Sequence, residues 1–124
     1  MISGLAYVEI VVSNFQLSID WYTNLLGFSV SDTISNEDGL WCQLASPNNE
    51  THLALWQPVL EVVNSTENQK IIPIFTTTNL RLFSKNLSEN GVVFLEDIRE
   101  RPGYLITTIA DPDGNQLQLL EKIV

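Results

Sequence analysis

The residue of this chain best placed to do chemistry is a carboxylate inside an apolar run. Glu9 is flanked by Val8, Ile10 and Val11, and His52 is the only histidine among the 124 residues. A carboxylate that is half-buried in a strand needs a partner. Glu9 could therefore hold a cationic ligand, act as a general base, or bond a neighbouring side chain. His52 could pair with Glu9 or lie at an exposed strand edge.

Three aromatic residues could stack on a planar ligand or hold a cation over a ring, namely Trp41, Trp56 and Tyr104. Packing in the core or at a dimer interface is the alternative for each of them. The single cysteine, Cys42, cannot form an internal disulfide, and we interpret it as a small buried strand residue. Signatures of a nucleophilic triad or a phosphate-binding glycine loop are absent from the sequence.

The composition predicts one soluble domain that needs no disulfide or structural metal. A chain of this length can bury about two thirds of its unfolded surface. Fifteen acidic and six basic residues give a net charge of −9, which disfavours nucleic acid and anionic membranes as partners. Because no leader or bilayer-length apolar run is evident, we expect a cytoplasmic protein. The acidic surface either serves solubility or attracts a cationic ligand.

The apolar pattern alternates between periods of two and 3.6 residues in an order that occurs twice. Each half is predicted to contain a strand, a helix and three further strands. The helices are expected at about 15–26 and 80–90, capped by Asn14 and Asn79 or the residue before each, and closed by Gly27 and Gly91. The strands are expected at about 5–12, 28–34, 39–46 and 51–57, and then at about 70–77, 92–96, 103–110 and 115–121.

Each predicted helix has one apolar face that should be buried. The residues on these faces are Phe15, Ile19, Tyr22 and Leu26 in the first helix and Leu80, Phe83 and Leu87 in the second. Arg99 and Arg101 are expected in an exposed hairpin loop, where they pair with acidic neighbours such as Glu96.

Two motifs near the ends of the chain are its most specific feature. Asp111-Pro112-Asp113-Gly114-Asn115 predicts a rigid turn that leads into the last alternating strand. Near the N-terminus, the apolar strand that ends at Asn14 leads into Trp21-Tyr22 and then Leu26-Gly27-Phe28. Together these motifs resemble the glyoxalase I, bleomycin-resistance and extradiol dioxygenase superfamily, also called vicinal oxygen chelate proteins. The resemblance spans nearly the whole chain.

The resemblance implies an α+β fold in which two β-α-β-β-β modules form a curved eight-stranded mixed sheet around a ligand. The modules would cover about 1–57 and 70–124 of a single domain, 1–124. The segment 58–69 would be a linker or a mobile lid over the pocket. Relatives of this kind often bind ligands near a dimer interface, so we expect a homodimer. The fold does not specify a reaction.

The metal-dependent members hold their metal with four residues on four strands, and the resemblance places these positions at Tyr7, Ala54, Ile72 and Gln118. Alanine and isoleucine offer no donor atom, and neutral Gln and Tyr are poor ligands for such metals. We therefore expect no metal and no other cofactor. A shifted site of Glu9, His52 and Glu121 is conceivable, but Glu121 has the opposite strand parity to Gln118 and should face away.

Strand alternation around these positions predicts an apolar and aromatic lining. The predicted ligand-binding residues are Tyr7, Glu9, Trp41, His52, Trp56, Ile72, Tyr104 and Gln118. The first hypothesis is metal-independent binding of an aromatic or cationic small molecule, such as a drug. The alternatives are a metal-free lyase or isomerase with Glu9 as catalytic base, a metal-dependent glyoxalase- or dioxygenase-like enzyme with a shifted site, and an accessory domain whose cup is filled by its own side chains. Whether the chain is an enzyme stays open, as does the identity of its ligand.

Overall fold

A computed structural model describes residues 1–60 and 69–123 of the chain. The described helices are α1 (Phe15–Asn24) and α2 (Leu80–Glu89). The described strands are β1 (Val8–Val11), β2 (Ser29–Asn36), β3 (Gly39–Ala45), β4 (His52–Pro58), β5 (Ile74–Thr76), β6 (Val93–Phe94), β7 (Arg99–Arg101), β8 (Tyr104–Ala110) and β9 (Gln116–Lys122). The chain divides into two compact units, an N-terminal unit of residues 1–63 and a C-terminal unit of residues 64–124.

The N-terminal unit is built on a four-stranded sheet in the order β1-β4-β3-β2. β1 runs parallel to β4, whereas β3 is antiparallel to both β4 and β2. Alternate residues of these strands form a buried apolar face, which includes Ile10, Cys42, Leu44, Leu53 and Leu55. Gln57 has the same strand parity as Leu55 and bonds the first residue of α1, so this buried face is the one that packs on the helix.

The C-terminal unit has a sheet in the order β5-β9-β8-β6, and β7 pairs with β8 outside this path. β5 is parallel to β9, and the other pairs are antiparallel. The buried face of this sheet includes Leu105, Thr107, Ile109, Leu117 and Leu119. It packs on α2 through the helix residues Leu80 and Leu87, which are also buried. Both units thus bury one sheet face beneath one helix.

The α+β class and the repeated strand-helix-strand order are confirmed. β5 is shorter than predicted, because it begins at Ile74 immediately after Pro73, which has no backbone N–H to donate to a ladder. The predicted loop around Arg99 is wrong in part, since Arg99–Arg101 forms the short strand β7 against β8. The segment 58–69, expected as a linker or lid, lies outside the described residues over 61–68.

The helix boundaries follow the predicted caps. The Asn14 side chain accepts a hydrogen bond from the backbone N–H of Leu17 at 3.1 Å, and Asn79 accepts from Leu82 at 3.3 Å. After each helix the chain reverses at a glycine with positive φ, 83° at Gly27 and 84° at Gly91. Only glycine adopts this conformation without steric cost, which explains why both helices end here.

The buried faces of the helices differ from the predicted ones at several positions. Phe15, Ile19, Leu26 and Phe83 are only half-buried, although the predicted stripes include them. Instead, the small polar residues Ser18 and Ser84 are buried. A hydrophobicity pattern misses such positions, because serine fits a close helix–sheet contact by its size and not by its polarity.

Candidate ligand-binding site

The sheet of the N-terminal unit has a second face, opposite the one that packs on α1. We call it the aromatic face, and it carries Glu9, Trp41, Gln43, His52, Ala54 and Trp56. The strand register places Glu9 and Gln43 on either side of Ala54, and Trp41 directly across from Trp56. Paired residues of neighbouring strands share a face, so these side chains are close neighbours. Five predicted site residues, Tyr7 included, therefore belong to this one region.

Tyr7 and Trp41 form an edge-to-face aromatic pair with ring centroids 5.7 Å apart and an interplanar angle of 62°. Glu9, Ala54 and Gln43 form one row of paired residues across the sheet. Tyr7 lies on one side of this row, next to β1, and Trp41 lies on the other side, in β3. The two rings can meet only by reaching across this row, which agrees with the complete burial of Ala54. Tyr7 keeps 38 % of its surface exposed, so the pair presents a ring to solvent. Such a ring can stack on a planar ligand or hold a cation.

Trp56 is fixed by a close approach to Gly39 on the neighbouring strand. A Cβ atom added at Gly39 would lie 2.8 Å from Cη2 of Trp56 and 2.9 Å from Cα of Pro58. This Cβ would also clash with the backbone carbonyl oxygen of Gln57, so the backbone of β4 excludes a side chain at Gly39 and the indole lies in the space that this leaves. Trp56 therefore lies along the strand toward Gly39 and extends the aromatic face next to Trp41.

The His52 ring is held at both nitrogens. Nε2 lies 3.1 Å from the carbonyl oxygen of Asn49, and Nδ1 lies 3.3 Å from Nε2 of Gln43. His52 is half-buried at the start of β4. His52 therefore does not pair with Glu9, because its ring nitrogens contact Asn49 and Gln43. His52 orients Gln43 on the aromatic face.

Glu9 is exposed, which corrects the expectation that it is half-buried. The reason is its place on β1, an edge strand, on the aromatic face of the sheet. Within residues 1–60 and 69–123, its carboxylate has no hydrogen bond or ion pair with a protein group. An exposed carboxylate of this kind can attract a cationic group, but the half-burial on which the general-base hypothesis rested is absent.

The remaining predicted site residues lie in the C-terminal unit and are less closely grouped. Gln118 and Tyr104 share one sheet face, but Gln118 pairs with Thr108, which lies four residues along β8 from Tyr104. Ile72 precedes β5 and is not part of a strand. This face has a network of side-chain hydrogen bonds. Gln118 donates to the hydroxyl of Thr108, and Thr108 and Arg99 both donate to Oε1 of Glu96. The charge pairing expected for Arg99 is confirmed, at 3.1 Å from Glu96.

The residues at the four family metal positions do not fit a metal. Ala54 is buried and has no donor, Ile72 is apolar, and the amide of Gln118 is engaged by Thr108. In the part of the chain that the structure describes, no three His, Cys, Asp or Glu side chains gather into a group that could hold a metal ion. The shifted site fails as well, because the carboxylate of Glu121 faces α2 and bonds Leu80.

Three other sequence interpretations concern structural residues, and all are confirmed. Cys42 is fully buried. Tyr22 is fully buried, as expected for the apolar face of the first helix, and it packs edge-to-face on Trp21 at 4.9 Å. The carboxylate of Asp111 accepts hydrogen bonds from the backbone N–H groups of Asp113 and Asn115, which makes this motif a turn.

Sequence reasoning missed Gln43 as a site residue. Its position two residues after Trp41 is the signal that could have identified it, since residues i and i+2 of a strand share a face. Thr108 was missed as well, although it lies four residues after Tyr104 on the same face and is the direct strand partner of Gln118. Polar residues in apolar strands are easily assigned to solvent, and only the register shows what they contact.

Comparison with known proteins identifies relatives over nearly the whole chain. The family model described as Glyoxalase/Bleomycin resistance protein/Dioxygenase superfamily matches residues 4–119. The uncharacterized protein YurT of Bacillus subtilis strain 168 is 23% identical over 125 residues, which cover 95% of this chain and 98% of YurT.

Solved structures share the fold at low sequence identity. A glyoxylase/bleomycin resistance protein/dioxygenase domain from Frankia sp. EAN1pec superposes with a TM-score of 0.85 at 18% identity, covering 99% of this chain and 94% of that one. TnmS3, an antibiotic binding protein from Streptomyces sp. CB03234, superposes with a TM-score of 0.77 at 19% identity, covering 99% of this chain and all of that one. Among residues 1–60 and 69–123, no helix has the length and apolar character needed to cross a bilayer.

Proposed function

The chain belongs to the Glyoxalase/Bleomycin resistance protein/Dioxygenase superfamily, and from this premise we propose that it is a metal-independent binding protein for a small molecule that is aromatic and cationic. The ligand is held at the aromatic face of the N-terminal unit. We further propose that the protein acts in the cytoplasm as a homodimer. Residues 1–124 then form a single domain of two modules.

The observation that carries this proposal is the Tyr7–Trp41 pair with Glu9 beside it. The rings are fixed against each other at 5.7 Å, so a planar ligand meets a preformed surface. Glu9 lies in the row that the rings cross and is exposed. A cation above an aromatic face with a carboxylate alongside is stabilised by both groups. The net charge of −9 favours approach of the same class of ligand.

Two further points support a binding role over metal chemistry. The family metal positions hold residues that do not suit a divalent cation. TnmS3, which has this fold, is described as an antibiotic binding protein, so the fold serves antibiotic binding in at least one neighbour. A lyase or isomerase with Glu9 as general base is not favoured, because the exposed carboxylate lacks the burial that would raise its basicity.

The proposal can be tested by measuring thermal stability and tryptophan fluorescence of metal-stripped protein with simple probes. The probes are benzylammonium, benzyltrimethylammonium and the neutral benzyl alcohol. A ligand that binds only the folded state raises Tm. We expect the two cations to raise Tm and to change the fluorescence. Benzyl alcohol should bind with about tenfold lower affinity, because it lacks one charged contact.

Two variants make the test specific to the aromatic face. Trp41→Leu and Glu9→Gln should each weaken binding of the cations by about tenfold. Trp21→Phe is the matched control, because Trp21 packs on Tyr22 within α1 and should leave binding unchanged. Stoichiometric binding of Ni²⁺, Zn²⁺, Mn²⁺ or Fe²⁺ would overturn metal independence, and equal affinity of the Trp41→Leu and wild-type proteins would overturn the proposed site.

A further inference from the structure

We propose that Gln43, oriented by His52, is a specificity-determining residue that selects protonated amines over quaternary ammonium ions. This inference rests on the proposed function, since it concerns the ligand of the aromatic face. It goes further by naming the chemical class of the cationic group, which must carry N–H donors.

The orientation of Gln43 follows from the two contacts of His52. The carbonyl oxygen of Asn49 can only accept, so Nε2 of His52, 3.1 Å away, must be the protonated nitrogen. In the tautomer with its proton on Nε2, Nδ1 has a lone pair that can accept a hydrogen bond. Gln43 supplies it from Nε2 at 3.3 Å. Because the C=O and C–N bonds of an amide point in different directions from one carbon, Oε1 of Gln43 does not face His52 when Nε2 does.

The register puts this oxygen and the Glu9 carboxylate on the two flanks of one small residue. Glu9 is the β1 partner of Ala54, and Gln43 is its β3 partner. The Tyr7–Trp41 pair crosses the same row. A cation held at these rings therefore has an acceptor on both sides, one charged and one neutral.

Two acceptors distinguish ammonium ions by their hydrogen atoms. A primary ammonium has three N–H donors and can bond both Glu9 and Gln43 while it lies against a ring. A quaternary ammonium has the same charge and a similar attraction to the rings, but it has no N–H and covers both acceptors with methyl groups. Covering an acceptor without a donor is unfavourable. The site should therefore prefer the primary amine.

The test compares benzylammonium with benzyltrimethylammonium by isothermal titration calorimetry at fixed pH and ionic strength. We expect wild-type protein to bind benzylammonium at least about tenfold more tightly, the effect of roughly one charge-assisted hydrogen bond. Gln43→Leu should reduce this preference to less than about threefold with little change for benzyltrimethylammonium. His52→Phe should reduce the preference as well, because Gln43 is then free to turn.

Gln43→Asn keeps an amide that is too short to reach His52, so it separates the presence of an amide from its orientation. We expect it to behave like Gln43→Leu, with the fold of each variant checked by circular dichroism. Equal affinity of wild-type protein for the two cations, or an unchanged preference in Gln43→Leu and Gln43→Asn, would overturn the role of Gln43 but leave the proposed function standing. Absence of binding by either cation would overturn both.

Discussion

Oε1 of Glu121 accepts a hydrogen bond from the backbone N–H of Leu80 at 2.7 Å. The N-terminal unit repeats this contact, with Oε1 of Gln57 accepting from the N–H of Phe15 at 2.6 Å. In both units a side chain on the last long strand satisfies the first amide of the helix, which has no partner inside the helix. Both units therefore have the same hydrogen bond between sheet and helix, which is accepted by a carboxylate in one unit and by an amide oxygen in the other.

This pairing predicts that position 121 needs an acceptor and not a charge. Glu121→Gln should change the free energy of unfolding by less than about 0.5 kcal/mol, since the amide oxygen of Gln57 accepts the equivalent hydrogen bond in the N-terminal unit. Glu121→Leu should lower it by about 1–2 kcal/mol, because the amide of Leu80 loses its partner. Urea denaturation measures both, and an equal loss in the two variants would contradict the acceptor role.

Asp111 should be the most sensitive residue of the turn before β9. It is 5 % exposed, and its two oxygens accept from Asp113, Asn115 and the side-chain amide of Asn115. Asp111→Ala removes these three hydrogen bonds and should cost about 2–4 kcal/mol of unfolding free energy. Asp97→Asn, on an exposed residue, is the control and should be nearly neutral. A loss below about 1 kcal/mol in thermal or urea denaturation would show that the turn does not need this carboxylate.

Cys42 should make stability depend on alkaline pH. Burial raises the pKa of the thiol above its ordinary value of 9.0, and a backbone hydrogen bond at Leu55 opposes the effect. The folded chain therefore keeps the proton where the unfolded chain loses it. This contribution to stability is complete below the unfolded pKa and declines as pH rises from about 9 through the folded pKa.

The measurement for Cys42 is the free energy of unfolding of wild-type protein and Cys42→Ala between about pH 8 and 10.5. Alanine leaves a small cavity, so the variant is less stable throughout, but the gap between the two proteins should narrow as pH rises. Iodoacetamide should also label the native thiol far more slowly than the unfolded one. A constant gap together with rapid labelling would contradict the burial argument.

The buried hydroxyls of Ser18 and Ser84 have no hydrogen-bond partner within the described structure. Replacing either serine with alanine removes an unsatisfied polar group and improves helix propensity. We expect Ser18→Ala and Ser84→Ala to leave unfolding free energy unchanged or to raise it by up to about 1 kcal/mol. Thr107→Val is the matched comparison, since the buried Thr107 hydroxyl donates to the carbonyl of Glu96 at 3.1 Å and its loss should destabilise. A clear destabilisation by the serine variants would show that these hydroxyls do have partners.

Local signals in the sequence determined the elements and the repeat. Asn14 and Asn79 predicted the helix starts and Gly27 and Gly91 their ends, because capping and positive φ depend on a few adjacent residues. Strand alternation also predicted that Glu121 and Gln118 face opposite ways, as the hydrogen bond of Glu121 to α2 confirms. The family resemblance was likewise visible, since its motifs are turns and helix ends.

The tertiary structure decided what each side chain contacts. The sequence could not say that Glu9 is exposed, that His52 bonds Gln43 and Asn49, or that Tyr7 reaches Trp41, because these depend on which strand lies beside which and in what register. A shift of one residue would move each side chain to the opposite face. Burial and hydrogen-bond partners depend on residues that are distant in the sequence. The sequence pattern therefore identified candidate site residues, and the strand register showed which of them lie together.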